Sequence, residues 1–166
     1  MLPAVADRDE SAALIIRTDF GDEAAWQAVL AELSKPWQFD SDDVEPYLHV
    51  VDDPAWAGAT ADDVITALSG NEDLSIVYLA DRVTMNDHDH ALLAVAVLTR
   101  EECESDEEFE ANGGAVRTVP SGIGDIHANL SIANLDFADV VDAAQADPAG
   151  IFRSFQRLTE AAAELR

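Results

Sequence analysis

The residues best suited to chemistry in this chain are carboxylates that stand where apolar runs give out. Asp19 falls in the run Leu14-Ile-Ile-Arg-Thr-Asp-Phe20, Asp52 and Asp53 follow an apolar run at 47–51, and Asp81 follows another at 74–80. If those runs are parallel, neighbouring strands, the acids lie side by side at strand C-terminal ends, where open α/β sheets bind ligands. Their oxygens would suit Mg²⁺, a hard cation. Arg17 or Arg82 would then grip a phosphate or carboxylate. The competing reading is that Asp is a good turn and cap residue, so strand-to-helix junctions collect it.

A second pattern is Asp87-His88-Asp89-His90. His88 and His90, two apart, project to one side of an extended chain, and imidazole with carboxylate suits a borderline metal. His49 and His127 would join only through folding, and a plain polar turn is the competing reading. Gly122 and Gly124, with the Asn residues of 129–137, could offer amides to a ligand but lack a phosphate-loop pattern; a loop needing unusual backbone angles competes. Cys103 sits among Glu101, Glu102 and Glu104, whose charge raises a thiol pKa. No Gly-x-Ser-x-Gly elbow is present, and Ser121 is near His127 in sequence alone. No residue is assigned a catalytic role.

Charge narrows the partners. The 34 Asp and Glu against 9 Lys and Arg give a formal net charge of −25. Such a field opposes direct nucleic-acid or anionic-membrane binding and favours a protein with a basic surface. Acidity of this kind also arises proteome-wide, in halophiles or lysine-poor lineages. The densest acids are Glu101, Glu102, Glu104, Asp106, Glu107, Glu108 and Glu110. The first six are candidates for facing a partner. So are Trp37 and Trp56, both in predicted connections, because Trp is enriched in binding hot spots; packing under a loop competes.

The elements that must position these groups follow from periodicity and turn chemistry. A strand is predicted at 13–20, apolar enough for burial on both faces, then a helix at 22–33 ended by Pro36. An acidic connection at 37–45 leads to a strand at 47–51 and a turn at Asp52-Asp53-Pro54. Thr60-Ala61-Asp62-Asp63 resembles a capping box for a short helix closed by Gly70. Strands follow at 74–80, ended by Asp81-Arg82, and at 91–98. After the acidic insertion at 101–111, Asn112-Gly113-Gly114 predicts a hairpin turn into an antiparallel strand at 116–119. Residues 120–124 read as loop, and 129–134 as strand or loop. A helix starts at 136, and Asp147-Pro148 starts a last one with Ile151, Phe152, Phe155 and Leu158 as its apolar face.

The predicted fold class is α/β: one mixed sheet of about five strands, parallel at its start with an antiparallel hairpin after, covered by helices. A leader at 1–12, a single domain at 13–158 and a helical polar tail at 159–166 complete the expectation. The lone Cys103 argues for a reducing interior. No apolar run nears the roughly 20 residues of a membrane span, and acids stand where a signal peptide needs basic residues. A cytoplasmic location is expected, with no membrane contact.

Several stretches together carry a family resemblance: Leu14-Ile-Ile-Arg-Thr-Asp-Phe20 with Ala25-Trp26, Val51-Asp-Asp-Pro-Ala-Trp-Ala-Gly58, Ala80-Asp-Arg82, and Asn129-Leu-Ser-Ile-Ala-Asn-Leu-Asp-Phe137 with Ile151-Phe-Arg153. The chain resembles a family of small uncharacterised actinobacterial proteins, common in streptomycetes, a domain of unknown function. The resemblance runs from about residue 13 to 155. It implies a bacterial cytoplasmic protein and supplies no site residues. The expected function is a non-enzymatic interaction or regulatory module, inhibitor- or immunity-like, with no cofactor. The alternative is a Mg-dependent enzyme or small-molecule binder using the Asp cluster.

Overall fold

Strand β1 (Ala13–Arg17) is where the sheet starts, and all of its residues are buried. A computed structural model describes residues 12–39, 42–68, 76–98, 103–112, 114–131 and 137–153. β1 pairs in parallel with β4 (Leu48–Val51) on one side and β5 (Ile76–Ala80) on the other. Ile15 joins the apolar cluster on one face, Leu14 and Ile16 that on the other. A strand buried on both faces needs a continuous apolar run, which 13–16 supplies. β6 (Leu92–Ala96) is antiparallel to β5, β7 (Ala115–Thr118) antiparallel to β6, and β8 (Ile151–Phe152) parallel to β7.

The sheet order β4-β1-β5-β6-β7-β8 leaves β6 as the one reversed strand. The C-terminal ends of the others therefore share one edge with the start of β6; Arg17, Asp52, Asp81, Arg117 and the 87–90 loop stand there, whereas the arm from β6 to β7 leaves from the opposite edge. The parallel start and antiparallel hairpin match expectation; a sixth strand, β8, is added to the predicted five.

Helix α1 (Glu23–Leu33) begins where the Asp22 side chain accepts the Ala25 N–H at 2.9 Å. It buries Trp26, Val29 and Leu33 against one sheet face. α3 (Arg82–Asn86), α5 (Ile123–Ser131) and α6 (Phe137–Gln145) add Met85, Ile123, Ile126, Phe137 and Val140 to the same cluster. The opposite face is covered by Trp56, Val64 and Leu68, the last two on α2 (Ala61–Leu68). The predicted capping box is present: Thr60 N–H donates to Asp63 at 3.0 Å, and Asp63 N–H to Thr60 Oγ1 at 3.2 Å.

Four local readings are corrected. The acidic connection at 37–45 contains an antiparallel pair, β2 (Trp37–Phe39) and β3 (Asp42–Val44), because Trp37 turns inward to the core and fixes the pairing. β5 ends at Ala80 just before Asp81, as expected, and the Asp81 side chain then caps α3. Part of the acidic insertion is helical, α4 (Asp106–Asn112), whose acidic first turn faces the positive end of the helix dipole. Residues 120–124, read as loop, form a 3-10 turn at Pro120–Gly122 and the start of α5; of 129–134, read as strand or loop, 129–131 end that helix and 132–134 lie outside the described residues.

The last correction is the largest. Asp147-Pro148 starts no helix, since Asp147 Oδ2 accepts the N–H groups of Ala149 at 2.9 Å and Ile151 at 3.4 Å. Gly150 takes φ 72° there, a turn conformation open to glycine, and Phe152 enters the core fully buried in β8. Gly70, Glu101, Glu102, Gly113, Phe155, Leu158, the leader at 1–11 and the tail at 159–166 lie outside the described residues.

Candidate functional site

The connection from β1 leaves through α1 over one face, and that from β4 to β5 returns through α2 over the other. The topological switch point of the sheet therefore lies at the ends of β1 and β5. There Thr18 N–H donates to the Ala80 carbonyl at 2.9 Å, and Gly58 N–H to the Thr18 carbonyl at 2.8 Å. The first bond extends the β1–β5 pairing by one residue, and the second ties the connection after β4 to the end of β1.

Arg17 ends β1 with its side chain 3% exposed. Its Nη2 donates to Glu23 at 2.9 Å, Nη1 to Asp52 at 3.2 Å and Nε to the Asp19 carbonyl at 2.9 Å. The guanidinium lies 4.3 Å from the Phe20 ring centroid and 5.1 Å from that of Trp26. Trp26 Nε1 donates to the second Asp52 oxygen at 3.2 Å. A buried guanidinium needs this much pairing, because an unpaired buried charge is costly. Glu23, which sequence reading missed, is held below the usual carboxylate range by hydrogen bonds from Gln27 and Arg17.

Asp81, at the end of β5, takes a bidentate grip from Arg117, with Nη1 at 2.8 Å and Nη2 at 2.7 Å. It also accepts the Thr84 N–H at 3.1 Å, capping α3. Burial pushes its pKa up, but the bonds from Arg117 and Thr84 outweigh that and hold the carboxyl below its ordinary value. Asp53 accepts the Ala55 N–H at 2.9 Å and Asp19 the Gly21 N–H at 3.2 Å, both turn roles. Arg82 is exposed on α3. The predicted neighbours are thus at one sheet end, but as arginine-neutralised pairs and turn caps. Among the described residues no three His, Cys, Asp or Glu side chains gather as a cation site such as the Mg²⁺ site requires.

The 87–90 loop borders a separate open cleft of about 410 Å³, lined in part by Glu32, His88, Asp89, His90, Ser121 and Arg153. His88 is 92% exposed and its Nε2 is 3.6 Å from Asp89. His90 is half-buried, with Nδ1 3.1 Å from the Thr84 carbonyl. Arg153 follows β8 and donates from Nε to Asp147 at 2.8 Å and from Nη2 to Asp89 at 3.3 Å. These bonds lower the Asp147 pKa and raise that of Arg153. Sequence spacing found His88 and His90; Arg153 and Glu32 reach the cleft only through the sheet order and the α1 packing.

The partner-facing candidates divide. Glu104, Asp106, Glu107 and Glu108 are exposed, and Glu108 accepts the Glu104 N–H at 2.8 Å, fixing the start of α4. Trp37 and Trp56 are corrected: at 8% and 1% exposure they pack in the core and present no anchor. The glycine reading changes too. A Cβ on Gly124 would lie 2.7 Å from Trp37 Cγ, and one on Gly122 2.5 Å from Thr118 Oγ1, so close packing and not unusual backbone angles demands glycine.

A family model described as a domain of unknown function, DUF6924, matches residues 12–155. The chain belongs to that family. No curated protein and no solved structure matches it.

Proposed function

We propose that this member of a domain family without an assigned activity is a non-enzymatic interaction module, which binds and modulates a basic-surfaced protein in a bacterial cytoplasm. The observation that carries the reading is the exposed acidic start of α4, Glu104 to Glu108, on the arm between β6 and β7. The charge balance supports it. Arg17, Arg117 and Arg153 are tied to the protein's own carboxylates and are buried or mostly buried, so none of the three stands among the exposed acids. A field of one sign steers an oppositely charged partner and speeds association.

The test is capture from the native lysate, with nuclease present, at low and high salt. A basic protein held at low salt and released at high salt is the expected result. The variant Glu104→Gln, Asp106→Asn, Glu107→Gln, Glu108→Gln should then associate about tenfold more slowly or worse, with a smaller change in dissociation. Binding indifferent to salt and to these substitutions would refute the electrostatic reading.

A further inference from the structure

We propose that the cleft beside the 87–90 loop is a binding site for a free α-amino acid, with its carboxylate on Arg153 and its ammonium between Glu32 and His90 Nε2. This is independent of any protein partner for the acidic arm.

The histidine is built into place. His90 has φ 50°, the one positive value at a non-glycine among the described residues. A residue with a Cβ is sterically disfavoured there and persists when its surroundings over-determine it, a condition that concentrates at ligand sites. The surroundings are the His90 N–H bond to the Asp87 carbonyl at 3.1 Å, the Ala91 N–H bond to Asp87 Oδ2 at 3.1 Å, and the Thr84 hydroxyl bond to the Ala91 carbonyl at 2.9 Å. Because a carbonyl oxygen only accepts, the 3.1 Å contact to Thr84 places the proton of the neutral ring on Nδ1. Nε2 is left with a lone pair for a donor such as an ammonium.

The arginine is held and still has capacity. Asp147 and Asp89 fix Nε and one Nη2 hydrogen of Arg153, out of the five N–H donors of a guanidinium. The remaining donors on Nη1 and Nη2 form a fork end, which suits a carboxylate bidentately. Charge selects the ligand. Glu32 and Asp89 with Arg153 put both signs in one cleft, inside a protein of net charge −25. A simple anion is repelled by that field, and a simple amine leaves the arginine fork empty. A zwitterion meets both requirements. Both Glu32 oxygens now accept from Lys35 Nζ, at 2.9 and 3.0 Å, in an exposed pair that is weak, and the remaining lone pairs of the carboxylate can take a second ammonium. The volume of about 410 Å³ falls within the range of small-molecule sites.

The experiment is thermal shift followed by calorimetry on the full chain, with the twenty L-amino acids, acetate, methylammonium and glucose as probes. At least one amino acid is expected to raise the melting temperature saturably, with acetate and methylammonium each binding at least about tenfold more weakly. His90→Asn keeps a residue that tolerates positive φ and an amide able to bond Thr84, but removes Nε2. It and Glu32→Gln should each weaken the amino acid about tenfold while leaving the ligand-free melting temperature unchanged. The proposal is overturned if no amino acid shifts the protein. It is equally overturned if acetate, methylammonium or glucose does as well, or if both variants bind like the parent.

Discussion

Replacing Asp81 by Asn removes one charge while keeping the shape and the capping ability of the side chain, since Asn also serves at helix N-caps. The bidentate grip from Arg117 at 2.8 and 2.7 Å is then lost, with Arg117 left facing a neutral amide. The two side chains are 24% and 26% exposed. A fully exposed pair contributes roughly 0–1 kcal/mol and breaking a buried one costs roughly 3–5 kcal/mol, so about 2 kcal/mol is expected here. For a domain of this size that is a fall of about 4–8 °C in melting temperature. The pH dependence gives a second readout. Because Asp81 is depressed in the folded state, its contribution is present above the unfolded carboxyl value of about 3.9 and is lost as pH falls through the lower folded value. Urea melts of parent and variant should therefore differ by the full amount at pH 7 and pH 5, and converge progressively below about pH 4. A difference under about 0.5 kcal/mol at pH 7, or one that persists unchanged into acid, would refute the pairing as a source of stability.

Three further outcomes can be checked with the same melts. Gly124→Ala forces a Cβ to 2.7 Å from Trp37 Cγ and should cost about 1–3 kcal/mol, with a change in tryptophan emission; an unchanged urea midpoint would contradict the close packing. The Tyr78 hydroxyl is buried without a hydrogen-bond partner among the described residues, and burial pushes its pKa well up. Tyr78→Phe should thus hold stability or raise it by up to about 1 kcal/mol, whereas a loss of that size would mean the hydroxyl is satisfied. Raising salt from about 0.05 to about 0.5 M should raise the melting temperature by screening self-repulsion, and by less in the variant with Glu104, Asp106, Glu107 and Glu108 neutralised. Equal gains would place the dominant repulsion elsewhere.

The parallel start of the sheet was readable because β1 and β5 announce themselves by continuous apolar runs, β4 by a short run interrupted only at His49 and stopped by Asp52-Asp53-Pro54, and α1 by Asp22 and the spacing of Trp26, Val29 and Leu33. The failures share a cause: side-chain bonds that override local spacing. Ile151 and Phe152 fit a helical stripe as well as a strand, and the choice is made by Asp147 turning the chain and by a free edge on β7. Trp37 stood in an acidic stretch with no visible core, yet Gly124, far along the chain, leaves the space its indole fills. At the candidate sites the acids were legible and their partners were not. Nothing near Asp81 or Asp52 in sequence says that Arg117 and Arg17 neutralise them, because both pairs depend on strand order. The same holds for Arg153, which joins the 87–90 loop only when β8 takes its place beside β7.

The fate of the arginines links the two proposals. An acidic chain folding this sheet must deal with carboxylates crowded at one strand edge, and Arg17 and Arg117 relieve that crowding by facing them. Each cation used in this way is absent from the outer surface, so the exposed field is more uniformly negative than composition alone implies. Arg153 is different, because its two carboxylates fix its plane and leave fork donors unused. A ligand reaching that fork must first cross the negative field, which disfavours any purely anionic molecule. A positive group on the ligand offsets that repulsion and finds acceptors in the same cleft. The surface charge that would draw a basic protein to α4 is thus the same factor that restricts the cleft to ligands carrying their own cation.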